Sequence, residues 1–274
     1  MTYSSRFMAI ITLTLLLLSG CASLSNSLAE KVGERKVEFA MTRHDTQAVV
    51  FENGLGGRME WWREVLPQIT GETTTFAYNR PGYGTSEATE TPRDGTHIVD
   101  ELRDLLHAKG LNPPYVLVGH SLGGLYMQLF ARRYPEEVSA LILVDSTHPR
   151  QLEGEGALEK QSLWVRTALG IMVTGVAEEE LALLSRTGEQ VLSLPAPSDI
   201  PVFVLSAAEP LKEHSAAADD ANEKRKDIAR LYPGSKQTWV NSGHGIPLEK
   251  PEAVVQVIRE VLRSSKKKLG LNPQ

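Results

Sequence analysis

Residues 115–125 read Tyr-Val-Leu-Val-Gly-His-Ser-Leu-Gly-Gly-Leu, an apolar strand pattern that runs into a helical one through Gly119-His120-Ser121-Leu122-Gly123. Few backbones accept that spacing. A serine on so sharp a strand-to-helix turn sits in strained geometry, and glycines two residues to either side let the chain pass without a Cβ clash. The turn presents the Ser121 hydroxyl and sets it at a helix N-terminus. There, free N–H groups and the helix dipole favour negative charge.

The rest of the chain fits around this unit as alternating strands and helices. Short β-rich runs bounded by turn residues occur at Val37 to Met41, Ala48 to Glu52, Thr73 to Tyr78, Tyr115 to Val118, Ala140 to Asp145, Pro201 to Ser206 and Gln237 to Val240. Several are almost wholly apolar, as in a mostly parallel sheet covered by helices on both faces. Ile98, Leu102, Leu105 and Leu106 mark one amphipathic crossover that stops at Gly110. Another runs from Leu122 to Tyr134 before Pro135, and a last one follows Pro251, with Val254, Val255, Ile258, Val261 and Leu262 on its buried side. This is an α/β series of βαβ units. The strand pattern lapses between about residues 147 and 200. Helical patterns around Leu163 to Met172 and Val176 to Leu184 suggest a cap inserted over the strand ends, where active sites of open α/β sheets lie.

The ends carry a different message. Arg6, an uncharged apolar run from Phe7 to Leu18, and Ser19-Gly20-Cys21 look like a secretory signal, because twelve apolar residues are too few for a membrane span. Leu18-Ser19-Gly20-Cys21 further resembles the lipobox of bacterial lipoproteins, and Cys21 is the sole cysteine. The resulting division is a signal peptide at 1–20, a tether at 21–35, a domain at 36–264 with the cap at about 147–200, and a tail at 265–274. The resemblance implies a protein anchored through lipidated Cys21 on the extracytoplasmic side of a bacterial envelope. About 250 residues then remain, enough for one large domain. They carry 28 basic against 34 acidic side chains, a formal charge of −6 that gives no reason to expect nucleic acid as a partner. No metal-spaced His/Cys cluster stands out, and the chemistry outlined below needs neither metal nor cofactor.

From Ala48 to about Arg263 the chain resembles the α/β-hydrolase superfamily. Besides the segment around Ser121, Phe51-Glu52-Asn53-Gly54-Leu55-Gly56-Gly57 stands where that family carries a His-Gly oxyanion loop. Arg80-Pro81-Gly82-Tyr83-Gly84-Thr85-Ser86 looks like its Arg-Pro-Gly-x-Gly-x-Ser turn, and Asp145 and Gly243-His244 follow in family order. The resemblance implies an acyl-transfer enzyme with Ser121 as nucleophile, His244 as its base, and the amides of Leu55 and Leu122 as oxyanion donors. Arg80 is expected to brace these loops through salt bridges.

A serine hydroxyl needs such a base, and the base needs a carboxylate to fix its tautomer. His244 sits in Asn241-Ser242-Gly243-His244-Gly245, between the last strand and the last helix. The family's commonest acid position follows Pro201 to Ser206. Here it reads Ala207-Ala208-Glu209-Pro210, without aspartate, leaving Glu209 or Glu213 within reach. Some branches use instead the end of the preceding strand, where Asp145 stands. Asp145 is taken first and Glu209 second. His120 is expected to line the pocket or support structure, and one of Trp61 and Trp62 to pack in the core. The expected activity is hydrolysis of a small-molecule carboxyl ester. Alternatives are amide or peptide hydrolysis as in the iminopeptidase-like branch, for which Glu178, Glu179 and Glu180 could be offered although a solvated helix face suits them better, and a non-catalytic surface lipoprotein.

Overall fold

The computed structural model describes residues 24–268 apart from 25, 45–46, 162–166, 168–169 and 172. Cys21 and the apolar run before it lie outside the described residues, as does most of the helix expected around Leu163 to Met172. Eight strands form one sheet: β1 (Ser27–Val32), β2 (Arg35–Thr42), β3 (Ala48–Glu52), β4 (Thr74–Tyr78), β5 (Tyr115–His120), β6 (Val138–Val144), β7 (Val202–Ala207) and β8 (Lys236–Val240). Their spatial order is β1-β2-β4-β3-β5-β6-β7-β8. β1 and β2 are antiparallel to their neighbours, and β4 through β8 run parallel.

The helices are α1 (Gly95–Ala108), α2 (Leu122–Arg133), α3 (Val176–Ala182), α4 (Leu184–Leu192), α5 (Ala216–Arg230) and α6 (Pro251–Lys268), with a single turn at Ile246–Glu249. Every residue of β3, β4, β5 and β7 is buried, which is why β3, β5 and β7 are largely apolar while β4 opens with two buried threonines. On one face Ile98, Leu102 and Leu106 of α1 and Leu125 and Leu129 of α2 pack with Val50, Leu117 and Leu141 of the sheet. On the other, Val254, Val255 and Ile258 of α6 join Trp62, Val49, Val118 and Ile142. Asp94 caps α1, accepting hydrogen bonds from the amides of Thr96 and His97, a side-chain cap worth about 1 kcal/mol.

Two boundaries differ from the sequence expectation. Residues 27–35, expected within the tether, form β1 and the turn into β2. Val32 pairs with Arg35 across a two-residue turn in which Gly33 has φ +59°. Most of β1 is exposed, so it lacks the alternation that would have marked it as a strand. At the other end α6 continues to Lys268, so the first residues of the expected tail are helical.

The cap is only partly a lid. α3 lies against the turn after β4, where a Cβ on Gly82 would collide with the Val176 side chain. α4 packs instead into the helical layer. Thr187 accepts a hydrogen bond from the Gly95 amide at 2.9 Å, and Val191 is wholly buried.

Candidate active site

The carboxyl ends of β3, β5, β6 and β8 converge, and each delivers one part of the site. At the end of β5 the chain turns through Ser121 with φ 52° and ψ −124°, a positive-φ conformation outside the left-handed helical well that side-chain-bearing residues seldom adopt. The surroundings hold it there. The Ser121 amide donates to Val144 O at 3.1 Å, and its carbonyl accepts from Thr147 and Gly124 at 2.9 Å each. The flanking glycines are steric necessities. A Cβ on Gly119 would sit 2.6 Å from the Gly123 carbonyl oxygen, and one on Gly123 would sit 2.5 Å from the carbonyl oxygens of Glu52 and Asn53. Leu122 is the first residue of α2, so its N–H is among the four that a helix start leaves without an intrahelical acceptor.

His244 follows β8 and meets Asp145, which follows β6. The imidazole Nδ1 lies 2.6 Å from Asp145 Oδ2. A carboxylate only accepts, so Nδ1 carries the proton and Nε2 is left as the basic nitrogen. Asp145 is buried, and its backbone is held at φ 38° by a 2.7 Å hydrogen bond from its amide to Leu205 O. Its other oxygen, Oδ1, accepts from the Ala207 amide at 3.1 Å and from Arg225 Nε at 3.2 Å. Burial opposes ionisation, but the hydrogen bond and charge of His244, the charge of Arg225 and the Ala207 amide together hold the carboxyl well below the usual carboxylate range. Glu209, the second acid candidate, is exposed. Its amide donates to Ser242 O at 3.2 Å, so it lies beside the histidine loop while the imidazole turns to Asp145. Glu213 is exposed as well.

The histidine loop has a support that the sequence reading passed over. Glu249, on the single turn after the loop, accepts hydrogen bonds from Ser242 Oγ at 2.7 Å and from the Gly243 amide at 2.8 Å. His120 adds a second. Its Nε2 donates to the His244 carbonyl at 2.9 Å, and its ring packs against those of Trp61 and His244, with centroids 5.2 and 4.7 Å away. Burial, reinforced by the neighbouring His244 charge, pulls the His120 pKa down to about 3. It is therefore a neutral structural group. Trp62 is the core tryptophan, packed against Phe51 with ring centroids 4.9 Å apart.

After β3, the Asn53-Gly54-Leu55 loop lies against Ser121; a Cβ on Gly54 would come within 3.1 Å of Ser121 Cβ. Asn53 Nδ2 ties this loop to Tyr78 O at 2.9 Å. Arg80 ties it down further, using all five guanidinium N–H groups. Nη1 donates to Glu52 Oε1 at 2.6 Å and to Asn53 O at 2.7 Å, and Nη2 donates to Gly54 O at 3.0 Å. The remaining two reach Glu180 of α3 as a bidentate pair, Nε to Oε1 and Nη2 to Oε2, both at 2.8 Å. Tyr83 also donates to Glu180 at 2.9 Å, and Tyr78 to Glu52 at 2.5 Å. Burial pushes the Glu52 carboxyl up, with Arg80 and Tyr78 pulling the other way. The brace expected of Arg80 is thus present, but one expectation fails. Glu178 and Glu179 are exposed, whereas Glu180 is fully buried on the inner side of α3.

A serine, a histidine bonded to a buried aspartate, and a glycine loop against the serine thus stand at the carboxyl ends of β5, β8, β6 and β3 in one mostly parallel sheet. A family model described as the alpha/beta hydrolase fold matches residues 47–170. The chain has the α/β-hydrolase fold. Solved structures share it: a thermophilic esterase from Thermogutta terrifontis is 22% identical, with a TM-score of 0.61 and coverage of 87% of this chain and 98% of that one. An alpha/beta hydrolase fold protein from Burkholderia ambifaria is 16% identical, with a TM-score of 0.63 and coverage of 87% and 98%. Among curated sequences, the uncharacterized protein YbdG of Bacillus subtilis is 22% identical over 80% of this chain and 79% of its own length. Ser121 stands at the sharp turn between β5 and α2, and Arg80 joins the loop after β3 to α3. Among the described residues no group of three or more His, Cys, Asp or Glu side chains is arranged to hold a metal ion.

Proposed function

We propose that this chain is a serine hydrolase that cleaves carboxyl esters through an acyl-enzyme. The observation that carries the proposal is the 2.6 Å bond from His244 Nδ1 to Asp145 Oδ2, made beside a serine held at positive φ. Ser121 Oγ attacks the ester carbonyl while His244 Nε2 takes its proton, and Asp145 stabilises the imidazolium. The amides of Leu122 and Leu55 receive the developing oxyanion, each donor worth about 10² to 10³ in rate. His244 then returns the proton to the leaving alcohol. A water, deprotonated by the same nitrogen, releases the acid and restores Ser121. No step calls on a metal or cofactor. The esterase structure from Thermogutta terrifontis is in keeping with this reading, though it shares the fold at low identity.

Amide hydrolysis of the iminopeptidase kind draws less support. It needs an acidic cap residue to meet a substrate amine, and Glu180 is instead buried against Arg80 and Tyr83. A purely binding role has no use for an imidazole held by a buried carboxylate at 2.6 Å. We further propose that the enzyme is exported and anchored in the cell envelope through lipidated Cys21, on the strength of the lipobox-like Leu18-Ser19-Gly20-Cys21. Metabolic labelling with a palmitate analogue, lost in Cys21→Ser, tests that part.

The activity itself is tested with p-nitrophenyl esters from C2 to C12 and residues 22–274. Hydrolysis above background that vanishes in Ser121→Ala supports the reading, and the chain-length optimum describes the pocket. A parent no faster than Ser121→Ala on every ester rejects it.

A further inference from the structure

Arg225 meets the acid of the proposed triad, and the sequence offers no hint of it. It lies in α5, whose residues 219–227, Asp-Asp-Ala-Asn-Glu-Lys-Arg-Lys-Asp, are mostly charged in the manner of a solvent-facing helix. Yet its Nε reaches Asp145 Oδ1 at 3.2 Å, and its Nη1 is steadied by Asn222 Oδ1 at 3.1 Å. Three donors from three directions thus fix one carboxylate: the Ala207 amide and Arg225 on Oδ1, and His244 on Oδ2. The cation is not required to seat its own helix. Lys224 holds α5 to the carbonyls of Gln151 and Glu153 at 3.2 and 2.7 Å, Asp227 pairs with His148 at 3.0 Å, and Asn222 donates to Pro210 O at 3.0 Å.

Resting on the serine-hydrolase reading of the site, we propose that Arg225 is a positioning residue that tunes the His244–Asp145 pair. It fixes the carboxylate plane with Oδ2 toward the imidazole, and its positive charge disfavours the imidazolium. Among the described residues, the charged and titratable groups around the imidazole include Asp145 after β6, Arg225 on α5, His120 after β5, Glu249 on the turn after the loop, and Glu209 after β7, whose Oε2 would lie 3.8 Å from a Cβ on Gly243. Arg225 is the cation of that set. Burial keeps His120 neutral, and Glu249 is engaged by Ser242 Oγ and the Gly243 amide.

The test is a nuclear magnetic resonance titration of the His244 ring in the wild type, Arg225→Met, Arg225→Gln and Arg225→Lys, with Lys226→Met as a surface-charge control. It is run beside the pH profile of kcat/KM on a neutral ester. The Arg225 side chain is 22% exposed, so solvent screens part of its charge. The uncharged variants should raise the His244 midpoint and the acid limb of kcat/KM by about half to one pH unit, within the range for a charge near a titrating group. KM should change little, Arg225→Lys should keep most of the wild-type midpoint, and Lys226→Met should not move it. An unshifted midpoint in Arg225→Met and Arg225→Gln, an equal shift in Lys226→Met, or loss of folding in all three Arg225 variants would overturn the proposal. If no ester is turned over, the hydrolase reading fails by itself, while the titration still decides what Arg225 does.

Discussion

Arg80 and Glu180, one hundred residues apart in sequence, form a buried bidentate ion pair that joins the loop after β3 to α3. Their side chains are 1% and 0% exposed. Because Arg80 also grips the carbonyls of Asn53 and Gly54, α3 and the loop beside Ser121 share one side chain. Taking away one partner of a buried pair strands the other charge, at a cost of about 3 to 5 kcal/mol. Glu180→Ala should therefore lower the unfolding free energy by roughly that amount in urea titrations. It should also reduce kcat on esters more than it raises KM, because Glu180 reaches the reaction only through the loop. A variant with wild-type stability would show that the pair adds nothing.

Gly123 packs where Glu52, Asn53 and the start of α2 meet. A Cβ at that position would lie 2.5 Å from two carbonyl oxygens, so backbone must move. Gly123→Ala should cost about 1 to 3 kcal/mol in stability and leave little ester hydrolysis, as overpacking shifts the oxyanion loop. Thermal melts and steady-state rates on the same preparation check both parts.

Asp145→Asn should lower kcat by about 10⁴, the scale known when an amide replaces a triad acid and the imidazole tautomer is lost. Glu209→Gln should stay near wild type, because the His244 Nδ1 proton goes to Asp145. The reverse ranking would return the role to Glu209.

His120 gives the fold a pH dependence of definite sign. In the unfolded chain an imidazole titrates near 6.5, whereas burial holds the folded His120 at about 3. Between those values the unfolded state binds the extra proton. The stabilisation is thus complete above about pH 6.5 and is lost as pH falls toward 3, with a slope near 1.4 kcal/mol per pH unit. His148, also lowered by burial, contributes with the same sign. His120→Gln, which keeps a side-chain amide donor, should flatten the loss of stability between about pH 6 and 4 relative to wild type. An unchanged slope would mean that His120 is protonated in the fold.

The readable parts of the sequence were those whose chemistry is local. β3, β5, β6 and β7 are buried on both faces and so appear as apolar runs, and the turn at Ser121 carries its own steric requirements in Gly119 and Gly123. Partnerships formed by folding were harder to read. Glu180 sits in a run of three glutamates of which two are exposed, and only the approach of α3 to Arg80 separates it from its neighbours. Arg225 is likewise one charge among many on α5. The choice between Asp145 and Glu209 turns on where the imidazole points, and that depends on a loop held by Glu249 and His120, both distant from Asp145 in sequence. β1 escaped notice for the opposite reason, since an exposed edge strand carries no burial pattern.

The most direct test of the central claim is mass-spectrometric mapping of a fluorophosphonate adduct on the folded protein, because the reagent requires an activated serine. The account expects one adduct, on Ser121, absent in His244→Ala, slowed in Asp145→Asn and unaffected in Glu209→Gln. A folded wild type with no adduct on Ser121, or one labelled equally well without His244, would contradict it.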